Sequence, residues 1–303
     1  MRQELYAQSC REQNAALLAG RDAYLKTGIA INDGEISPEN GHRIPIRLYT
    51  STSPNERIKE SDVVVYYHGG GLYVGDLDSE DLTCRRICKE LGYTVYSVDY
   101  RLMTNFTADD AFDDAMTAFL GIIQQRKIGK LVLMGSSSGG QLAAMVSQEY
   151  QLNCSPSLRD FKVHGVLLRG PVTCDATEDG VHIPSRFKAF HTSMSPAFHT
   201  SLLSSPAVNE GNRVARKMPL EGHLSGLPRH WIQVSTNDIY YSDGMLYAEA
   251  LAEAGVQVEL DVVSGWPHTF WLKAPYLERA VQAEQDMIYG LRCLFEKEFS
   301  IGS

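Results

Sequence analysis

The sequence contains no apolar run near the roughly 18 residues that a membrane-spanning helix requires, and its N-terminal MRQELYAQSCREQ carries Arg, Glu and Gln where a signal peptide needs an unbroken apolar core. The same acidic residues argue against a transit peptide, and the C-terminal FSIGS matches neither a prenylation nor a peroxisomal signal. Clusters of Lys and Arg are missing too: 28 basic against 37 acidic residues give a net charge of −9. That balance excludes the electrostatic footprint of a nucleic-acid or anionic-membrane partner. No CxxC or zinc-ribbon spacing occurs. Of the six cysteines (Cys10, Cys84, Cys88, Cys154, Cys174, Cys293) only Cys84 and Cys88 are close in sequence, so all are read as buried, reduced thiols. The expectation is a cytoplasmic protein without membrane insertion, in which the sequons at Asn105 and Asn153 are incidental. Internal repeats and low-complexity tracts are also absent.

What remains is ordinary globular composition, 44% apolar and 21% charged over 303 residues, and it is read as one domain spanning 1–303. Residues 2–28 have a loose helical pattern, and the segment 1–30 is taken as a helical lid. From Arg43 short β-branched and aromatic runs begin: IPIRLYT, DVVVYY, YTVYSVDY, KLVLMG, HGVLLRG, WIQVST and QVELDVV. Helical periods separate them at Asp81–Leu91, Asp109–Gln125, Gln141–Tyr150 and Asp243–Ala254, with a last helix over about 275–298. Alternating βαβ units with nearly continuous apolar strands predict an α/β fold whose parallel sheet is covered on both faces. Residues 173–225 break the rhythm and are read as a lid insertion over the carboxyl ends of the strands, where open α/β sheets bind ligands.

Chemistry enters at Gly135-Ser136-Ser137-Ser138-Gly139-Gly140, which directly follows the strand KLVLM and directly precedes a helix. A serine held on a sharp strand-to-helix turn needs side-chain-free neighbours two residues away, here Gly135 and Gly139, so that its hydroxyl stands clear. Ser137 is therefore the candidate nucleophile. His68-Gly69-Gly70-Gly71 follows the strand DVVVYY, and its bare N–H groups, with that of Ser138, suit the oxygen of a tetrahedral intermediate. An activated serine needs a base, and the base an acid that fixes its tautomer. His268 lies in the turn-rich loop after QVELDVV, whereas His42, His182, His191, His199 and His223 fall in an early loop or the insertion. Asp238 directly follows WIQVST and is preferred as the acid; Asp243, one turn later, suits N-capping of the next helix. The order Ser137, Asp238, His268 is the order of the α/β-hydrolase arrangement.

Over roughly residues 35–298 the chain resembles the α/β-hydrolase superfamily, and within it the hormone-sensitive-lipase-like carboxylesterases. The resemblance is carried by HGGGLYVGD at 68–76, VDYRL at 98–102, GSSSGG at 135–140, SGLPRHWIQVSTNDIYYSD at 225–243 and YAEALAEAGVQVEL at 247–260. It implies an eight-stranded, mostly parallel sheet, a helical lid from the N-terminal helices and the 173–225 insertion, and a serine mechanism without metal or cofactor. The family's nucleophile falls on Ser137, its base on His268, its acid on Asp238 and its oxyanion donors on Gly70, Gly71 and Ser138, with Gly69 shaping the loop. Two departures stand out. The family's GDSAGG has Ser136 and Ser138 in place of Asp and Ala, and its YRLAPE appears as Tyr100-Arg101-Leu102-Met103-Thr104-Asn105. A hydroxyl at Ser138 can add a hydrogen bond beside the oxyanion.

These features predict a carboxylic-ester hydrolase acting on a small to mid-sized, partly apolar metabolite. The alternative keeps the triad but changes the bond or the acceptor: an aryl-formamide or amide hydrolase, or an acyl-transfer or cyclisation enzyme of secondary metabolism. A non-catalytic small-molecule receptor is disfavoured because the base is present. Tyr73, Trp266 and Phe270, together with Trp271 and the insertion's Phe187, Phe190 and Phe198, are candidates to line an aromatic pocket or to fill the core. A small-molecule acyl substrate is the expected partner, and a homodimer is left open.

Overall fold

A strand with no polar position has to be covered on both faces, and Val63–Tyr67 is such a strand, buried at all five residues. The computed structural model, which describes residues 2–38, 41–52, 61–125, 128–153, 161–174 and 217–296, sets it inside an eight-stranded sheet. In chain order the strands are β1 Ile29–Ile36, β2 Ile44–Ser51, β3 Val63–Tyr67, β4 Thr94–Val98, β5 Leu131–Ser136, β6 Gly165–Arg169, β7 Arg229–Ser235 and β8 Val258–Val263. They lie side by side as β1-β2-β4-β3-β5-β6-β7-β8. β2 is antiparallel to both β1 and β4, and all other pairs are parallel. The described helices are α1 Arg2–Ala19, α2 Asp81–Leu91, α3 Ala108–Gln125, α4 Ser138–Asn153, α5 Tyr241–Glu253, α6 Phe270–Lys273 and α7 Glu278–Glu296. Among the described residues no helix is long and apolar enough to cross a membrane.

The period of two along each strand divides the core. Val63, Val65 and Tyr67 of β3 join Leu131, Leu133, Val166 and Leu168 on one face, under Phe119 of α3, Leu142 of α4 and Leu251 of α5. Val64 and Tyr66 point the other way with Val132, Met134 and Trp231, against Ile87 and Cys88 of α2 and Met287, Leu291 and Phe295 of α7. Both faces are therefore apolar and covered, and the polar loops gather at the strand ends. Helix α2 stops where expected because Gly92 takes the left-handed conformation (φ 74°) and returns its N–H to Cys88 O at 3.0 Å.

Two expectations are refined. β1 was not foreseen: IAINDGEI lacks an apolar run because it is an edge strand with four consecutive exposed residues. Residues 1–30 hold α1, a 3-10 turn at Ala23–Lys26 and the first two residues of β1, so the segment is not wholly helical. Helix α1 is tied to the loops at the carboxyl edge of the sheet, with Gln3 bonded to both Gly75 O and Gly75 N, Asn14 to Asp78 O, and Gln13 to Leu272 O. Of residues 173–225, the expected insertion, only 173–174 and 217–225 are among the described residues; His182, His191, His199, Phe187, Phe190 and Phe198 lie outside them, as does Cys154.

One buried charge cluster crosses the layers. Glu284 of α7 accepts from Arg169 Nη1 at 2.6 Å, from Arg86 Nη1 at 2.6 Å and from Thr83 Oγ1 at 3.2 Å. Arg169, fully buried at the end of β6, also donates to Gln233 Oε1 at 2.9 Å and stacks its guanidinium over Trp271 at 4.0 Å. Burial pushes the Glu284 carboxyl up, but the Arg169 and Arg86 charges and their hydrogen bonds outweigh it and hold the group below its usual range. Glu284→Ala leaves two guanidinium groups without their carboxylate and is expected to cost about 3–5 kcal/mol in urea denaturation at neutral pH. Because the native value is depressed, this contribution is present above the unfolded carboxyl value of about 4.3 and is lost as pH falls through the native one. Wild type and variant should therefore converge in acid; equal stability at pH 7 would contradict the assignment.

Candidate active site

The strand-turn-helix at β5-α4 brings the backbone to a tight corner at Ser137, whose φ of 54° places a non-glycine residue in the left-handed region. The corner closes only because glycines flank it. A Cβ on Gly135 would run into Gly139 O, and one on Gly139 into Tyr67 O. Ser137 N–H donates to Arg169 O at 2.9 Å, and Ser137 O accepts from Gln141 N at 3.1 Å, which starts the helix. Helix α4 thus begins at Ser138, immediately after the corner and three residues before the expected start.

Ser137 Oγ lies 2.8 Å from His268 Nε2, and His268 Nδ1 lies 2.7 Å from Asp238 Oδ2. The three residues, from the loops after β5, β7 and β8, meet at one edge of the sheet although 131 positions separate Ser137 from His268. Asp238 is fixed by its own N–H on Ser235 O and by Tyr240 N–H on its Oδ1 at 2.8 Å. The Tyr240 ring packs edge-on against the His268 ring at 5.0 Å. Behind them is Gly170 (φ 52°), where an added Cβ would stand 3.1 Å from Asp238 Oδ2 and 3.3 Å from His268. Sequence reasoning passed over Gly170, since a glycine ending a strand reads as an ordinary turn.

The loop His68–Gly71 runs beside this trio. The His68 ring is buried, stacks on Tyr100 at 4.3 Å and bonds Gly69 O through Nδ1 at 2.8 Å, while Tyr100 OH donates to His68 O at 2.6 Å. Burial lowers its affinity for a proton. Gly70 and Gly71 have φ of 133° and 65°, and Gly70 O accepts from Tyr73 N and Val74 N, both at 3.2 Å. The N–H groups of Gly70, Gly71 and Ser138 meet no acceptor among the described residues. The Gly69 N–H does: it donates to Glu80 Oε1 at 3.0 Å, which removes it from the available donors. Glu80 was not foreseen, because at the start of a helix an acidic residue reads as a cap.

The neighbouring side chains take definite places. Ser138 Oγ accepts from Leu72 N at 3.3 Å, so the hydroxyl braces the end of the glycine loop. Asp243 does not cap α5; its Oδ2 accepts from Thr173 N at 3.0 Å and Cys174 N at 3.1 Å and anchors the chain leaving β6. Phe270 is 1% exposed and packs with Val263, Trp271, Ala280 and Ala283, which places it in the core. Trp266 is half-buried and stacks on Phe270 at 5.0 Å, and Tyr73 is half-buried against the main core. Of the other described histidines, His42 and His223 are exposed, His164 is half-buried and His230 is buried. Among the described residues no group of three or more His, Cys, Asp or Glu side chains is arranged to hold a metal ion.

Comparison with known proteins gives the family and the fold. The model of an α/β-hydrolase-fold family matches residues 64–272. The chain is 30% identical over 256 residues to the FAD-linked oxidoreductase pytB of Aspergillus terreus, a match covering 82% of this chain but 31% of that protein. It is 28% identical over 276 residues to an ethyl acetate hydrolase of Pseudomonas putida, covering 89% of this chain and 83% of that one. Among solved structures, the esterase LipW of Mycobacterium marinum superposes with a TM-score of 0.76 at 26% identity, over 97% of this chain and 89% of that one. With the family model spanning more than half the sequence, the chain belongs to the α/β-hydrolase fold family, in its hormone-sensitive-lipase-like branch.

Proposed function

We propose that the protein is a serine carboxylesterase that cleaves a small to mid-sized, partly apolar ester through an acyl-enzyme on Ser137. The observation that carries this reading is the continuous hydrogen-bonded line from Ser137 Oγ through His268 to Asp238, at 2.8 and 2.7 Å. Asp238 accepts from His268 Nδ1–H, which leaves Nε2 unprotonated and facing the hydroxyl. His268 Nε2 takes the Ser137 proton as Oγ attacks the acyl carbon, and the carbonyl π electrons move to oxygen. The N–H groups of Gly70, Gly71 and Ser138 receive that oxyanion; such preorganised donors are worth about 10²–10³ in rate each. Collapse expels the alkoxide, which leaves with the proton held by His268. Water then enters, gives a proton to the same Nε2 and attacks the acyl carbon; collapse breaks the bond to Oγ, which takes that proton back from His268, and the acid is released.

A small ester agrees with the ethyl acetate hydrolase of Pseudomonas putida among the relatives. It also agrees with a site edged by loops and by α1, whose Gln3 and Asn14 reach the strand-end loop at 75–78.

Turnover of p-nitrophenyl acetate through octanoate is expected, with an optimum in chain length. Ser137→Ala and His268→Ala should each lower kcat/KM by about 10⁴-fold or more at unchanged thermal stability. Near-wild-type rates in Ser137→Ala would remove the nucleophile assignment. The two aspartates make a second test. Asp238→Asn should cost about 10⁴-fold in kcat because the amide no longer fixes the required tautomer. Asp243→Asn should stay within about tenfold, since its amide oxygen still accepts from Thr173 and Cys174; a reversed ranking would exchange their roles.

A further inference from the structure

Glu80 stands at the N-cap position of α2 but makes no side-chain cap to that helix, although a carboxylate there ordinarily accepts from the first turn. Its side chain turns away from α2 and is buried, 4% exposed. Oε1 accepts from Gly69 N at 3.0 Å. Oε2 accepts from Ser136 Oγ at 2.8 Å and from Tyr66 OH, and Tyr66 OH and Ser136 Oγ are 3.0 Å apart. One carboxylate therefore joins three pieces of chain: the first glycine of the His68–Gly71 loop, the residue preceding Ser137, and Tyr66 near the carboxyl end of β3.

Three successive glycines need such a restraint. Glycine loses more conformational freedom on ordering than any other residue, and a Gly-Gly-Gly run with no side chain to pack cannot hold its own peptide planes. The run is gripped at both ends. Glu80 takes the Gly69 N–H, and Ser138 Oγ takes the Leu72 N–H at 3.3 Å. Between the grips, the Gly70 and Gly71 N–H groups meet no acceptor among the described residues. Because Glu80 also holds Ser136, the spacing between those N–H groups and the Ser137 corner is fixed by a single rigid group.

We infer that Glu80 is a positioning residue for the ester chemistry: by holding Gly69 to Ser136 it aims the Gly70 and Gly71 N–H groups at the oxygen that becomes negative after attack by Ser137. The inference rests on the proposed serine-esterase reading. A carboxylate suits the task because it accepts on both oxygens, whereas a carboxamide presents an N–H₂ group to one side. Burial pushes the Glu80 carboxyl above its ordinary range, opposed by the hydrogen bonds from Tyr66, Gly69 and Ser136 and by the charge of Arg169. The departures from the family elbow at Ser136 and Ser138 acquire a common purpose, since each hydroxyl is one end of a brace on the glycine loop.

The test compares Glu80→Gln with wild type for p-nitrophenyl butyrate hydrolysis, inhibition by an alkyl trifluoromethyl ketone, and thermal unfolding. A ketone of this kind forms a hemiketal oxyanion on the serine and so reads the loop directly. Glu80→Gln should lower kcat about 10- to 100-fold and weaken ketone affinity by a similar factor, with KM within about threefold of wild type. A folded Glu80→Gln with wild-type kcat and ketone affinity would overturn the proposal. So would a kcat loss with unchanged ketone affinity, which is the signature of a merely structural role. If Glu80→Gln does not fold, Ser136→Ala decides instead. It removes one partner of the carboxylate without touching Gly69, and parallel losses of about 3- to 10-fold in kcat and ketone affinity are expected; no change in either would overturn the proposal. Absence of Ser137-dependent turnover in wild type would sink the esterase reading, an outcome separate from any result with the Glu80 variants.

Discussion

The left-handed backbone at Ser137 is the constraint on which the rest of the site depends. A non-glycine residue at φ 54° is disfavoured, so it persists only where neighbours on every side enforce it. Strand β5 feeds the corner, helix α4 leaves it within one residue, and Arg169 O and Gln141 N hold its two backbone groups. The flanking glycines allow β5, α4 and the end of β3 to approach to backbone contact. What the strain gives in return is direction: the hydroxyl points away from both elements and toward His268.

A second level of organisation lies behind the corner. Arg169, whose carbonyl holds Ser137 N–H, is locked by Glu284, Gln233 and the face of Trp271. Trp271 belongs to α6, the short helix that begins two residues after His268. Thus one buried guanidinium steadies the strand that backs the nucleophile and the turn that carries its base. Glu80 does the corresponding work on the other side, between the glycine loop and the elbow. The two buried anions, Glu284 and Glu80, have different surroundings. Glu284 faces two guanidinium groups and is held ionised, whereas Glu80 is bonded to neutral donors and its ionisation is opposed by burial.

Much of this was legible in the amino-acid sequence, for identifiable reasons. Strands β3 to β7 are short apolar runs with β-branched and aromatic residues, and α2 and α5 carry clear helical periods, so their positions were readable to within a few residues. GSSSGG and HGGG were readable because the chemistry restricts those positions to residues without bulk. β1 escaped because an edge strand half in water has no apolar run. Glu80, Gly170 and Tyr240 escaped for a different reason: their roles exist only in three dimensions, and in sequence they read as a helix start, a turn and one more aromatic residue. Phe270 could be read either as pocket or as core. The structure decides for the core, where it packs against Ala280 and Ala283 of α7. Asp243 also drew its significance from partners far away in sequence, Thr173 and Cys174, and not from the helix in which it sits.

The most direct test of the central claim, that the fold turns Ser137 into a nucleophile through His268, is reaction with an alkyl fluorophosphonate followed by intact-protein and peptide mass spectrometry. The account predicts one phosphonyl group per chain, on Ser137, formed rapidly by native protein and not by heat-denatured protein or His268→Ala. Labelling of another residue, or a Ser137 that reacts no faster in native than in denatured chains, would contradict it.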